Sequence, residues 1–265
     1  MKKLGIIGSG NIAEIVLELF NSNNLDEIFA FDIDELKLHK FIDKFKNKQI
    51  KPCKSIHEII KFSDVILETA SIEAVKEIFR NIKLFNKEKI YIFLSVGGVL
   101  KNYKEYKSLI KNGYKILIPS GAIAGCDALA ALSYSKIHSI HLKTIKPPQM
   151  LLSNCLYFKK RQKLYNEIQK KQSVVIFKGD VYDAIKYFPQ NINVAATLAV
   201  VSGVPKKIKV TIVADRRVKR NIHEITINSS AGNLFVKTEN VPSPKNPKTS
   251  YLAALSVLPI LYQVI

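Results

Sequence analysis

Gly8, Gly10 and Ala13 stand at the spacing G-x-G-x-x-A, directly behind the apolar run Leu4-Gly5-Ile6-Ile7 and ahead of a helical pattern from Ile12 to Phe20. Residues of these types in this order suit an anion carrying two phosphates. Gly8 permits a tight turn, Gly10 lets backbone approach the phosphates, and Ala13 is small enough for the helix to pack on its strand. The N–H groups of Asn11 and Ile12 open that helix at the positive end of its dipole. A second apolar run, Ile28 to Phe31, ends in Asp32. A carboxylate about 20 residues beyond the glycines accepts hydrogen bonds from an adenosine ribose. The expected chemistry is binding of a nicotinamide dinucleotide. NAD is expected rather than NADP, because the Asp32 charge repels a 2′-phosphate; NADP is the alternative.

The elements that must position these residues alternate strand and helix through the first ~120 residues, as in a parallel sheet. Strands are expected at Leu4–Ile7, Ile28–Phe31, Val65–Leu67, Tyr91–Leu94 and Ile116–Ile118. Ser71 and Gly97 follow the third and fourth of these, at the carboxyl edge where open α/β sheets bind ligands, and are expected to contact the cofactor. Gly97-Gly98 reads either as a close approach to the nicotinamide ribose or as a plain turn. Past Pro119 the texture changes. Strands are expected at Ser139–Thr144, Val174–Phe177, Lys209–Ala214, Ile222–Ile227 and Asn233–Thr238, with helices at Tyr182–Tyr187 and Val194 to about Val201. The fold class is α/β: an N-terminal Rossmann-type parallel sheet, residues 1–119, plus a second α+β domain, residues 120–242. Val241 to Pro247 reads as a proline-stiffened connector. A C-terminal helix, from Lys248 within residues 243–265, is expected to return to the first domain.

Composition narrows the function. At 265 residues with 47% hydrophobic content, the chain holds two modest domains. No segment is long and apolar enough to span a bilayer. Met1-Lys2-Lys3 runs straight into a strand instead of an apolar leader, so no secretory signal is expected. Cys53, Cys126 and Cys155 have unrelated spacings that suggest neither a metal site nor a disulfide set, and a reducing cytoplasm is the simplest setting. The formal charge of +19 invites a nucleic-acid reading. Its lysines are dispersed and no RNA-binding or zinc-finger signature accompanies them, so nucleic acid is not the expected partner. The positive potential still favours a small dianion.

The second half offers three polar clusters: Pro189-Gln190-Asn191-Ile192-Asn193-Val194, Arg220-Asn221-Ile222-His223-Glu224-Ile225 and Lys143-Thr144-Ile145-Lys146-Pro147. The amides of Asn191 and Asn193 open a helix, where they cap it or bind a carboxamide or substrate. His223 lies inside a strand pattern, with Glu224 on the opposite face. Lys143 and Lys146 supply cations beyond a strand.

Four segments taken in order change the standing of His223. They are Ile118-Pro119-Ser120-Gly121-Ala122-Ile123-Ala124-Gly125, Phe188 to Ala196, Asn221-Ile222-His223-Glu224-Ile225 and Pro242 to Ser250. Together they closely resemble the L-aspartate dehydrogenase family, from the glycine turn to the C-terminal helix. The resemblance implies NAD(P)-dependent oxidative deamination of L-aspartate to iminosuccinate, which hydrolyses to oxaloacetate and ammonia and can feed quinolinate for new NAD. It puts the catalytic histidine on His223 and cofactor contacts near Ala124 and within Asn191–Asn193. Ser120, Lys146 and Asn193 are the expected partners of a small dicarboxylate amino acid. The family pattern leads one to expect arginine at Ile145 and proline at Arg216, so substrate affinity is in question there. A homodimer through an exposed sheet face of the second domain is expected, and no metal. The rival readings are a similar two-domain reductase acting on another dicarboxylate or imine, which a substrate panel separates, and a non-catalytic NAD sensor indifferent to His223.

Overall fold

The computed structural model describes residues 1–265 apart from 153–155, 160 and 189–192, and apart from the side chains of 152, 156, 159, 247 and 248. Its contacts divide the chain into one unit of Met1–Gly121 with Ala253–Ile265 and another of Ala122–Leu252.

The first unit alternates β1 (Lys2–Ile7), α1 (Asn11–Leu19), β2 (Leu25–Phe31), α2 (Glu35–Lys44), β3 (Lys51–Pro52), α3 (Ile56–Phe62), β4 (Val65–Glu68), α4 (Ile72–Ile82), β5 (Ile90–Phe93), α5 (Val96–Lys101), α6 (Tyr103–Lys111) and β6 (Lys115–Leu117). The strands are all parallel, in the order β3-β2-β1-β4-β5-β6. This is the doubly wound arrangement, whose switch point lies between β1 and β4. Near-continuous Ile, Leu and Val in these strands reflect burial on both faces. On one face Leu4, Ile6, Ile28, Ala30, Val65, Leu67 and Ile92 pack with Val16, Leu17 and Phe20 of α1 and with Leu38 and Phe41 of α2. Each fully buried aliphatic side chain contributes about 1.5–3 kcal/mol of transfer free energy.

The second unit contains α7 (Cys126–Leu132), β7 (Ile137–Lys146), α8 (Pro148–Leu152), α9 (Leu156–Lys159), α10 (Gln162–Lys170), β8 (Ser173–Asp180), α11 (Val181–Tyr187), α12 (Asn193–Ser202), β9 (Ile208–Asp215), β10 (Asn221–Ser229), β11 (Gly232–Asn240), β12 (Pro242–Ser243) and β13 (Asn246–Ser250). Five strands form a mixed sheet ordered β11-β10-β7-β9-β8, parallel only between β7 and β9. Alternation along β11 separates half-buried Leu234, Val236 and Thr238 from exposed Phe235, Lys237 and Glu239. The buried face continues through Ile225, Leu142 and Ile212. α12 is apolar almost all round and buried from Val194 to Val200. α13 (Tyr251–Leu255) and α14 (Leu258–Val264) complete the chain. Val257, Leu261 and Ile265 join the first unit's core beside α1.

Several local expectations need correction. Residues 241–247 are more than a connector: the tight pair β12–β13 uses them, and helix begins at Tyr251 rather than Lys248. Proline's fixed φ suits extended backbone there, and the Tyr251 N–H donates to the Val241 carbonyl at 3.0 Å. Gly97 and Gly98 form no plain turn but lie in the first turn of α5, buried. A Cβ on Gly98 would sit 2.8 Å from Val75 of α4, so that glycine serves close helix packing. The short strand β3 was not expected. Strand β7 runs on to Lys146, placing that lysine in the sheet rather than beyond it.

Candidate active site and dinucleotide site

In the first unit the expected residues gather at the carboxyl edge of the sheet. Gly8 has φ +92°, and a Cβ there would meet Ala70 Cα at 2.7 Å, so both backbone and space demand glycine. Gly10 differs. Its φ is −86°, and a Cβ would find only the Lys37 ammonium, at 3.8 Å. The space above Gly10 is an open cradle. Gly10 also caps α1 without a side-chain hydrogen bond to the helix, and Asn11 and Ile12 begin α1, both half-buried. An open cradle before an uncapped helix N-terminus fits a dinucleotide pyrophosphate.

Asp32 is buried and holds the glycine turn. Its Oδ2 accepts from the Ser9 N–H at 2.7 Å and the Ser9 hydroxyl at 2.8 Å, and its Oδ1 from the Asp34 N–H at 3.1 Å. Lys37 Nζ lies 3.3 Å away. Burial pushes the carboxyl up, but these donors and the Lys37 charge outweigh it and hold it below its ordinary value. Ser71 caps α4, its hydroxyl accepting from the Ala74 N–H at 3.2 Å.

One residue at this edge was not anticipated. Glu68, the last residue of β4, is fully buried. It accepts from the Ala70 N–H at 2.8 Å, the Ser95 N–H at 2.9 Å and the Ser95 hydroxyl at 2.7 Å. Burial raises its carboxyl above the ordinary range while the Ser95 and Ala70 donors pull it back. It ties the loop after β4, which carries Ser71, to Ser95, the residue that opens α5 just before Gly97. The only sequence signal was an acid closing an apolar strand.

In the second unit His223 and Lys146 share the helix-covered face of the sheet. His223 pairs with Thr144 across β7–β10, and His223 Nδ1 lies 3.0 Å from Thr144 Oγ1. Lys146 follows Thr144 by two residues and so projects from the same face. All three are buried. Burial, with the Lys146 charge added, pushes the imidazole down to about 3, so His223 is neutral at physiological pH. Burial pulls the Lys146 ammonium down to about 8. Glu224 points to the other face and pairs with Lys143 at 2.9 Å, as alternation requires.

The loop bearing Ala124 is tied to the same end of the sheet. The Ala122 carbonyl accepts from Asn240 Nδ2 at 2.9 Å and Thr238 Oγ1 at 3.3 Å. Thr238 and Asn240 are the cross-strand partners of His223 and Asn221. Ala124 and Asn193, the first residue of α12, are exposed. Asn191 lies outside the described residues, and Ser120 is half-buried in the first unit. The two departures from the family pattern fall away from His223. Ile145 lies on the face opposite Thr144. Arg216 donates to the Ile168 and Gln169 carbonyls at the end of α10. Among the described residues no group of three His, Cys, Asp or Glu could hold a metal ion, and no helix is long and apolar enough to cross a membrane.

Residues 127–264 match the family described as aspartate dehydrogenase, C-terminal, and residues 3–97 match NADP oxidoreductase, coenzyme F420-dependent. L-aspartate dehydrogenases of Methanococcus maripaludis and Methanocaldococcus jannaschii are each 37% identical over 98% of this chain and 96% of theirs. The chain belongs to the L-aspartate dehydrogenase family. A crystal structure of aspartate dehydrogenase from Thermotoga maritima superposes with a TM-score of 0.76 at 31% identity, covering 100% of this chain and 97% of that one. Membership makes the chain an NAD(P)-dependent oxidoreductase. On one surface of the second unit, then, a neutral buried imidazole and a buried ammonium stand together.

Proposed function

We propose that the chain oxidises L-aspartate to iminosuccinate, released to hydrolysis as oxaloacetate and ammonia, with His223 as the base and Lys146 as a carboxylate partner. The observation that carries this reading is the buried His223–Thr144 contact at 3.0 Å, on the face that Lys146 shares. In the tautomer whose Nδ1–H donates to Thr144 Oγ1, Nε2 is left to take a proton from the substrate ammonium. The freed amine lone pair then closes on Cα as the Cα hydrogen leaves with its electron pair. NAD, when bound, supplies the two-electron acceptor for that hydride. Lys146 balances one substrate carboxylate in a setting where burial strengthens the attraction between the two charges. The Asp32 carboxylate supports NAD over NADP.

The exposed sheet face, with Phe235 66% and Val175 48% exposed, supports a homodimer through a second copy; light scattering on Phe235→Lys tests this. The cytoplasm is the proposed setting, and supply of imine for pyridine-nucleotide synthesis the proposed use. The deciding experiment mixes the protein with NAD and a panel of amino acids at mildly alkaline pH and follows NADH formation. Turnover confined to L-aspartate is expected. NAD binding with no aspartate turnover rejects the proposal.

A further inference from the structure

Asn221 opens β10 two residues before His223, so the two side chains leave the same face of the sheet. Asn221 is 9% exposed, and its Oδ1 is fully buried with no hydrogen-bond partner among the described residues. Buried acceptors are almost always paired, and an exception needs a donor from a water, an ion or a bound group. The neighbouring amide does not fill this role. Asn240, directly across the strand pair, gives its Nδ2 to the Ala122 carbonyl and takes the Ser250 hydroxyl at 3.0 Å on its Oδ1. Among the described residues the other unpaired buried side-chain oxygens, Ser63 Oγ and Tyr91 Oη, belong to the first unit.

We infer that Asn221 is a substrate-binding residue whose carboxamide oxygen accepts a hydrogen bond from the α-amino group of L-aspartate. The inference rests on the proposed His223 and Lys146 face. L-aspartate carries two carboxylates, which only accept, and one amino group, its sole donor. An unpaired acceptor beside a base and a cation matches that donor and neither carboxylate. Holding one amine N–H at Asn221 leaves another for His223 and aligns the nitrogen lone pair with the Cα–H bond that breaks. The residue thus reads the amino group and separates an amino acid from a plain dicarboxylate.

The test compares dissociation constants of L-aspartate and succinate, measured calorimetrically on the protein with NADH. Succinate keeps both carboxylates and lacks the amino group. Asn221→Leu, close in volume and without an acceptor, is expected to weaken L-aspartate 10- to 100-fold and leave succinate and NADH within twofold. Equal weakening of both dicarboxylates, or no change in either, overturns the inference. Weaker NADH with an unchanged aspartate-to-succinate ratio also overturns it, because the acceptor then serves the nicotinamide carboxamide. Asn221→Asp retains an oxygen at that place. It is expected to keep aspartate affinity while weakening succinate, and it decides the matter if the leucine variant does not fold. His223→Ala with full turnover defeats the face itself; an unchanged binding ratio in Asn221→Leu alongside an inactive His223→Ala defeats only this inference.

Discussion

Thr144 Oγ1 and His223 Nδ1 meet at 3.0 Å across two antiparallel strands, each side chain locked by its place in the ladder. A hydroxyl both donates and accepts, so Thr144 holds the ring in one orientation whether or not Nδ1 carries a proton. His223→Ala is expected to lose turnover roughly 10²–10⁴-fold with NAD affinity nearly unchanged. Thr144→Val keeps the shape and strands a buried nitrogen. It is expected to lower kcat about tenfold, with recovery in Thr144→Ser. NADH formation under saturating NAD measures both, and wild-type turnover in His223→Ala removes that residue from the mechanism.

Lys146 links pH to both binding and stability. The folded chain holds its proton only to about 8, against an ordinary 10.5 when unfolded. Between these values the unfolded chain binds more protons, so stability rises with pH across that window. Below pH 8 the folded state carries the full penalty of the buried charge, on the order of 3 kcal/mol. Lys146→Met is therefore expected to raise the urea midpoint at pH 7 while abolishing succinate binding. Wild-type succinate affinity is expected to be flat up to about pH 8 and to weaken roughly tenfold per pH unit above it. Calorimetry from pH 6 to 10 checks this; affinity independent of pH throughout removes Lys146 as the carboxylate partner.

The two glycines of the phosphate turn predict opposite failures. Gly8→Ala faces both a positive φ and the Ala70 backbone, so thermal stability is expected to fall sharply. Gly10→Ala meets nothing closer than Lys37 and is expected to melt within about 2 °C of wild type. Its methyl group instead occupies the cradle, and NADH affinity is expected to drop at least about tenfold, roughly 1.4 kcal/mol. Fluorescence titration beside a melting curve separates the two.

Asp32 carries the cofactor preference. Wild type is expected to bind NAD more tightly than NADP. Asp32→Ala removes the repelling charge and releases Lys37, now 3.3 Å away, toward a 2′-phosphate. The NADP-to-NAD affinity ratio is expected to rise about 10- to 100-fold, and Lys37→Ala in that background to reverse it. Equal or better wild-type affinity for NADP would falsify the assignment.

The parallel sheet was legible because strand, glycine turn, helix and Asp32 occur within one short window whose spacing is set by pyrophosphate and ribose. His223 was legible only through resemblance, since a histidine in a strand pattern carries no sign of what lies across the ladder. The Thr144 contact, Glu68 and the Asn221 oxygen depend on pairings between residues 27 to 79 positions apart or on the absence of a partner, which local patterns do not encode. Of the two readings of Gly97-Gly98 only the plain turn is absent: the space beside Val75 admits the helix at Gly98 only if Cβ is missing, which two adjacent glycines do not announce.

The last helix has a consequence for synthesis. Leu261 packs into the core of the first unit, the rings of Tyr262 and Phe20 lie 4.8 Å apart, and the Asn21 N–H donates to the Tyr262 hydroxyl. Ala122–Leu252 must leave the ribosome between α1 and its closing partner. At ordinary elongation rates that interval is roughly 7 to 25 seconds. The nascent first unit therefore waits with an apolar socket open at Leu17 and Phe20, and its core closes only when this later helix arrives.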